Sequence, residues 1–227
     1  MRVSYDLHLH SCLSPCGDND MTPNNIVNMA SILGLDVIAV SDHNSARNLP
    51  AVMRVAEEAN VLVVPAIELC SAEEIHVLCL FPTLDDAMHC SAEVHDYLPP
   101  IKNKAAIYGE QLVLDENDEV VGEEPYLLIN ALMLSLDELL PLVKKYNGLA
   151  IPAHVDKDAY SITASLGLIP PEYGFSCIEQ KNPDAVVSFE GKRISNSDAH
   201  YLEHIHEPIH FLEIEEFSAE AVIKALS

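Results

Sequence analysis

No stretch of the chain approaches the roughly 18 uninterrupted apolar residues that a membrane-spanning helix needs. The longest candidates are broken by Pro65 and Asn130. Met1-Arg2-Val3-Ser4-Tyr5-Asp6 also lacks the apolar run of a signal peptide. A soluble, cytoplasmic protein with no membrane partner is therefore expected. Basic side chains are scarce: 12 stand against 36 acidic ones, a formal net charge of −24. Such a surface repels a duplex or a long single strand, which disfavours polymeric nucleic acid as a partner. A few divalent cations would reverse the potential locally. Cysteine supplies no framework. Of Cys12, Cys16, Cys70, Cys79, Cys90 and Cys177, only the first two sit close together, and no second pair completes a four-cysteine zinc site. Free thiols in a reducing cytosol are the expectation.

What the chain does have is apolar residues and histidine. Apolar types make up 49% of the 227 residues, which excludes disorder. A chain of this length buries about 70% of its extended-state surface. That is enough for one core and too little for two comfortable domains, so residues 1–227 are read as a single domain. Residues 3–10 read as a strand. Thr22-Pro23 then opens a helix with a capping hydroxyl and a proline at the first helical position. Ile26, Met29, Ala30 and Leu33 follow at helical spacing, and Gly34 ends it. Residues 36–41 have the continuously apolar centre of a buried strand. A second helix carries Val52, Val55, Ala56 and Ala59, and residues 61–67 form a third strand closed by Glu68. This alternation predicts parallel strands joined by crossovers.

The next strand, 75–81, follows too soon for a helical crossover, so a local antiparallel pairing is expected there. Residues 83–98 read as helix, and Ser135 caps another that Pro141 should bend. A strand at 149–153 ends at His154. Weaker strands fall at 175–178, at 193–195 leading into Asp198 and His200, and at 209–214; Ser218 caps the last helix. Residues 102–124 break the alternation. Two apolar runs flank Asp115-Glu116-Asn117-Asp118, the pattern of an inserted hairpin. Six of the ten residues 115–124 are acidic, which fits either a solvated excursion or a lid over a site.

Eleven histidines are unusual in so acidic a chain, and their positions matter more than their number. His8 and His10 are two apart on one strand and so face the same way. His43 lies just beyond the second strand, while Glu68, His154, Asp198 and His200 stand at later strand ends. Strand C-termini converge on one face in parallel barrels and open sheets. The reading is a metal cluster, and its imidazole and carboxylate ligands fit Zn, Mn or Fe.

The segments Asp6-Leu7-His8-Leu9-His10-Ser11, Ser41-Asp42-His43-Asn44, Glu68 with Ile75-His76, Ala153-His154 and Ser197-Asp198-Ala199-His200 occur in this order across nearly the whole chain. Together they resemble the PHP (polymerase and histidinol phosphatase) domains. The resemblance implies a distorted (β/α)7-type barrel with a two- or three-metal site at the C-terminal strand ends that hydrolyses phosphoesters. It implies that His8, His10 and Asp198 bind one divalent ion, and that Glu68 bridges to a second held by His76 and His154. His43 and His200 would share a third with a residue of the loop after the first strand. There the chain departs from the family's short Ser-Asp-Gly and reads Ser14-Pro15-Cys16-Gly17-Asp18. Asp18 offers a carboxylate and Cys16 a thiolate; Asp18 is the favoured ligand. Asp42 is expected to orient a ligand histidine rather than to bind metal.

Two ions about 3.5–4 Å apart lower the pKa of a bridging water and supply hydroxide near neutral pH. Glu68 and Asp198 would position that hydroxide for in-line attack on phosphorus. Concentrated positive charge in an acidic protein favours a small phosphorylated substrate: a phosphomonoester, a nucleotide or a short oligonucleotide. Arg47 and Lys157 are the candidate phosphate-binding cations, with Lys181 and Arg193 ranked lower. His89, His95, His204, His206 and His210 are read as structural or surface residues. Two rivals stand beside this reading. An amidohydrolase-type enzyme also begins with a strand-one His-x-His, although it usually needs eight strands and a lysine bridge. A non-catalytic metal-binding or interaction module is the other.

Overall fold

A computed structural model describes residues 1–227. In chain order the strands and helices are β1 (Arg2–Leu9), α1 (Pro23–Leu33), β2 (Val37–Val40), α2 (Leu49–Ala59), β3 (Leu62–Val63), β4 (Ala66–Cys70) and β5 (His76–Leu80). There follow α3 (Leu84–His95), α4 (Ala105–Tyr108), β6 (Leu112–Leu114), β7 (Val120–Glu123), α5 (Leu136–Lys145) and β8 (Leu149–Pro152). The chain ends with α6 (Ile162–Leu166), β9 (Cys177–Glu179), β10 (Lys192–Ile194), β11 (Phe211–Glu213) and α7 (Ala219–Leu226). No helix is long and apolar enough to cross a membrane.

The fold is mixed α/β. Helix α1 begins where the Thr22 hydroxyl accepts the Asn25 amide, and it stops at Gly34, whose φ of 82° satisfies the left-handed cap. Strands β1, β2 and β3 run parallel, with β11 antiparallel on the outer edge of β1. The strand expected at 61–67 breaks in two. Pro65 has no amide to give a ladder, so β3 stops at Val63 and β4 joins a different sheet. There β4 pairs antiparallel with β5, as the short link between them requires, and β5 pairs antiparallel with β8. Glu68 consequently lies inside β4 rather than at a strand end. Because β4 and β8 run the same way, Glu68 and His154 arrive at one end of the sheet. His76, the first residue of the down-running β5, starts there too.

The closed seven-stranded barrel implied by the resemblance is not drawn by continuous ladders; the strands fall into four separate sheets. Strands β3, β9, β10 and β11 are only two or three residues long, too short to carry a ladder around a ring. At the site end single bonds do the joining: the His10 amide donates to Ala199 O (2.9 Å), Asn44 N to Glu68 O (2.9 Å) and Val155 N to Glu179 O (2.8 Å). Where a ladder would flank β1, the Asn196 side-chain carbonyl instead accepts the Leu7 amide at 2.8 Å. Period-two alternation sorts β1. Val3, Tyr5 and Leu7 enter a 17-residue apolar cluster with Val37, Leu78 and Ile151. Ser4, Asp6, His8 and His10 are equally buried on the polar face.

The inserted segment is a hairpin of β6 and β7, and it is anchored to the body. The Asp118 carboxylate at its tip accepts the Thr22 hydroxyl (2.6 Å) and the Asn24 amide (3.1 Å) at the start of α1, where the helix dipole favours an anion. Asn48 donates to Leu112 O (3.1 Å) and accepts from Leu114 N (3.0 Å). The Leu112 amide also donates to Cys12 O at 2.9 Å. The hairpin therefore buttresses the loop after β1 and lines no part of the cleft described below.

Candidate metal centre

Five histidines from four parts of the chain close on one buried carboxylate. Glu68 Oε1 lies 3.2 Å from His8 Nε2, 2.9 Å from His76 Nδ1 and 3.2 Å from His154 Nε2. Glu68 Oε2 lies 3.0 Å from His43 Nδ1 and 3.5 Å from His10 Nε2. Asp198 Oδ1 faces His10 Nε2 at 3.3 Å and His8 Nε2 at 3.7 Å. His200 stacks on His10, ring centres 4.2 Å apart. Three donor groups each lie within 4.8 Å of one another: His8, His10 and Asp198; His43, Glu68 and His76; and His10, His43 and His200.

The donors fit divalent ions. Nε2 of His8 and of His10 and Nδ1 of His43 are buried and make no well-aligned hydrogen bond, although carboxylate oxygens stand 3.0–3.3 Å away. Their chemistry, imidazole with carboxylate, suits transition metals. The backbone is strained at two of the same positions. His154 has φ 32° and Asp198 φ 54°, conformations that non-glycine residues hold only when the surroundings impose them.

Electrostatics in this cluster is a contest between burial and pairing. Burial alone would raise the Glu68 carboxyl, but His76, His8 and His43 hold it well below the carboxylate range. Burial disfavours the charged form of His8, yet Glu179, Glu68 and Asp198 push it well above 6.5. His43 is lifted to about 10 against the same burial by Glu68 and Cys16. His10 goes the other way: burial, with His43 and His200 beside it, takes it well below. His76 is lowered chiefly by burial.

An outer layer orients the donors. Both oxygens of Glu179 lie 3.0 Å from His8 Nδ1. The same carboxylate accepts the His154 amide (2.8 Å) and the Asn196 side-chain amide (2.8 Å). It fixes the His8 ring so that Nε2 faces the other donors, the outer-shell arrangement common to metal-binding histidines. Sequence reading missed Glu179. The available signal was a carboxylate closing an apolar strand run, the pattern that marked Glu68. Asp42 does not touch a ligand ring directly. It accepts from the Ser11 amide (2.7 Å), the Ser11 hydroxyl (2.6 Å) and the Ser14 hydroxyl (2.7 Å). Ser14 Oγ in turn lies 3.1 Å from His10 Nδ1, so Asp42 acts through Ser14. Asp6 accepts the Ser197 amide at 3.0 Å and steadies the turn before Asp198.

Two of the expected site residues lie elsewhere. The Asp18 carboxylate turns to the Asp20 amide (2.9 Å) and joins none of the donor groups; only its backbone amide reaches His200, at the carbonyl (2.9 Å). Burial of the Cys16 sulfur raises its thiol, but His43 and His200 bring it down to about 6; the residue is otherwise exposed, and it too joins none of the donor groups. Arg47 is not delivered to the site either: its guanidinium pairs with Glu124 at 3.1 Å, because the buttressing hairpin places that buried carboxylate beside it. Lys157 is at the site, with Nζ 2.6 Å from Asp198 Oδ2, and Lys181 reaches the same oxygen at 3.3 Å. The cleft above the donors is small, about 130 Å³, and is walled by His43, His76, His154, Lys157, Ala159, Tyr160 and His200, with Glu68 and Asp198 at its base. A larger cleft of about 650 Å³ between α5 and residues 172–176 holds none of the donors.

Residues 6–163 match the PHP domain family. No curated protein matches the sequence. Among solved structures, the lesion-specific endonuclease EndoQ of Pyrococcus furiosus superposes with a TM-score of 0.70 at 21% identity, over 100% of this chain and 56% of that one. An endonuclease Q bound to a 27-mer duplex with an abasic lesion at its active site gives 0.70 at 19% identity and the same coverage. A candidate metal-dependent phosphoesterase from Bifidobacterium adolescentis gives 0.58 at 18% identity, over 86% of this chain and 87% of that one. These likenesses are of fold, and the chain spans 56% of the endonuclease Q length. The family match covers well over half of the chain and includes every motif from Asp6 to His154, and on that ground the chain belongs to the PHP domain family.

Proposed function

We propose that this chain is a metal-dependent phosphoesterase acting on a small phosphomonoester, a nucleotide or a short oligonucleotide. The observation that carries the reading is the convergence of His8, His10, His43, His76 and His154 on the buried Glu68 carboxylate. His8, His10 and Asp198 would hold one ion. Glu68 would bridge to a second held with His76 and His154. His43 and His200 would hold a third, with Cys16 as the nearby loop side chain in place of Asp18. Zn, Mn or Fe bound there would acidify water and neutralise phosphoryl oxygens. The protein supplies the rest. Glu179 keeps the His8 ring turned inward, Asp42 and Ser14 do the same for His10, and Lys157 stands at the mouth to meet a phosphate oxygen.

The cleft of about 130 Å³ suits a phosphoryl group and leaves the remainder of a substrate outside. The −24 net charge works against a long polymer, and the DNA-bound neighbour is nearly twice this chain's length. A substrate presenting a phosphorylated end satisfies both constraints. The same reading takes the four sheets as an opened, distorted barrel, and six free cysteines support a reducing, cytoplasmic setting.

The test is phosphate release by the Mn²⁺- and Zn²⁺-reconstituted protein from a panel of phosphomonoesters and nucleotides, with His8→Ala as control. Release that disappears in His8→Ala is the expected result. Stoichiometric bound metal with turnover of amides and no phosphoester would replace this reading with the amidohydrolase one.

A further inference from the structure

Only 12 basic side chains serve the whole protein, and two of them close on one oxygen. Lys157 Nζ lies 2.6 Å and Lys181 Nζ 3.3 Å from Asp198 Oδ2. Neither lysine pairs with any other carboxylate. Asp198 is itself divided: Oδ1 faces His8 and His10, while Oδ2 faces the lysines. Two ammonium groups against one carboxylate oxygen repel each other, so something must hold them there. The backbone does so. Asp156 accepts the amides of Lys181 (2.9 Å) and Asn182 (2.6 Å), tying the loop after β9 to the loop after β8. The Lys157 amide closes a turn on His154 O at 2.9 Å. Asp156 thus orders both loops without neutralising either lysine.

Both side chains are about one-third exposed, at 40% and 32%, whereas Asp198 is buried beneath them. Lys157 lines the cleft that holds the donors, and Lys181 meets it on the same Asp198 oxygen just outside that lining. Anchoring Asp198 would take one lysine. A second leaves positive charge uncompensated at the one place where an acidic protein must admit an anion.

We infer that Lys157 and Lys181 form a paired-ammonium subsite that selects a dianionic terminal phosphate, a phosphomonoester, over the monoanionic phosphate of a diester. This rests on the phosphoesterase reading above and deepens it. Lysine ammoniums act as point charges with freely turning donors, so the pair answers to the charge on the phosphate more than to the shape of its leaving group. The lysines are positioning and specificity residues; the metal ligands are a separate set.

The experiment compares the Mn²⁺-loaded protein with Lys157→Gln, Lys181→Gln, the double variant and Lys181→Arg. Each is assayed on 4-nitrophenyl phosphate and bis(4-nitrophenyl) phosphate, with orthophosphate binding measured by calorimetry and bound metal by elemental analysis. A hydrogen bond to a charged group is worth about 1.5–3 kcal/mol, or roughly tenfold to a hundredfold in affinity. Each Gln variant is expected to weaken orthophosphate binding by about that factor and to lower the monoester-to-diester ratio of kcat/KM, chiefly through the monoester KM. Lys181→Arg should retain most of the preference. Equal losses on both esters, a fall in bound metal, or unchanged orthophosphate binding would overturn the inference and leave the lysines as props for Asp198. If the unsubstituted protein hydrolyses neither ester, the phosphoesterase reading fails, while orthophosphate binding still decides whether the lysines form an anion site.

Discussion

Glu68 sits among five imidazoles, and the protons in that cluster are shared unequally. In the metal-free protein His8, held well above 6.5 by its three carboxylates, and His43, held at about 10, are both charged at pH 7. A raised histidine stabilises the fold fully below its unfolded value, and that contribution is lost as pH climbs through the folded one. For His43 the window runs from 6.5 to about 10. Metal ions need the neutral rings, so they must displace these protons. His10 and His76 are already neutral and have none to release. Against its burial, His200 is raised as well, by Cys16 and Asp198, so metal loading at pH 7 is expected to release at least two protons, with apparent affinity rising toward alkaline pH. Calorimetry in two buffers of different ionisation enthalpy measures the release, and a value near zero would contradict the assignment. Glu179 gives a second prediction at this scale. Glu179→Gln removes the charge that fixes the His8 tautomer and should cost about tenfold to a hundredfold in metal affinity. Competition against a chelator reads it, with Glu215→Gln, at an exposed carboxylate paired with Lys224 and in none of the donor groups, as a control.

Among the elements, the inserted hairpin does the least expected work. Its charged tip suggested a solvated excursion or a lid, yet it spends Asp118 on the start of α1 and Gln111 on the carbonyls of Glu124 and Tyr126 (both 2.7 Å). Just before it, Gly109 has φ 99°, and a Cβ there would overlap the Pro15 carbonyl oxygen. Pro15 is next to Cys16, so a side chain at 109 would push on the loop that carries the thiol. Gly109→Ala should cost about 1–3 kcal/mol from strain at a left-handed position. It should also reduce metal bound at the His43–His200 end while sparing the His8–Asp198 end. A urea melt reads the first effect and metal stoichiometry the second. Asp118→Ala, which removes an anion at α1, should lower stability without changing the metal count.

For the molecule as a whole, the candidate metal centre stands where sheets that backbone ladders leave separate meet. Its donors come from β1, β4, β5 and the loops after β2, β8 and β10, so bound ions would cross-link all of them. An ion that binds only the folded chain at a hundred to a thousand times its Kd adds about 2.7–4.1 kcal/mol. For a chain of this size each kcal/mol moves Tm by roughly 2–4 °C. Reconstituted protein should therefore melt about 5–15 °C above EDTA-treated protein, and His8→Ala should shrink that gap. Superimposable melts with and without EDTA would show that the cluster holds no ion tightly.

The sequence by itself determined the ligand chemistry and its order along the chain. His8 and His10 share a face because strand alternation is local, and Thr22 and Gly34 bound α1 because capping is local. The tertiary structure decided which side chains meet. Glu179 orients His8 from 171 positions away. Glu124, 77 positions from Arg47, draws that guanidinium off the site. The Asp18 carboxylate turns away to the Asp20 amide, and Lys181 joins Lys157 on Asp198 through a loop that Asp156 holds. Pro65 was visible as a residue, but that it would divide one expected strand between two sheets depended on the partner offered by β5. Residue type and short-range periodicity are written in neighbouring positions, whereas the facing of two side chains depends on how every intervening element packs.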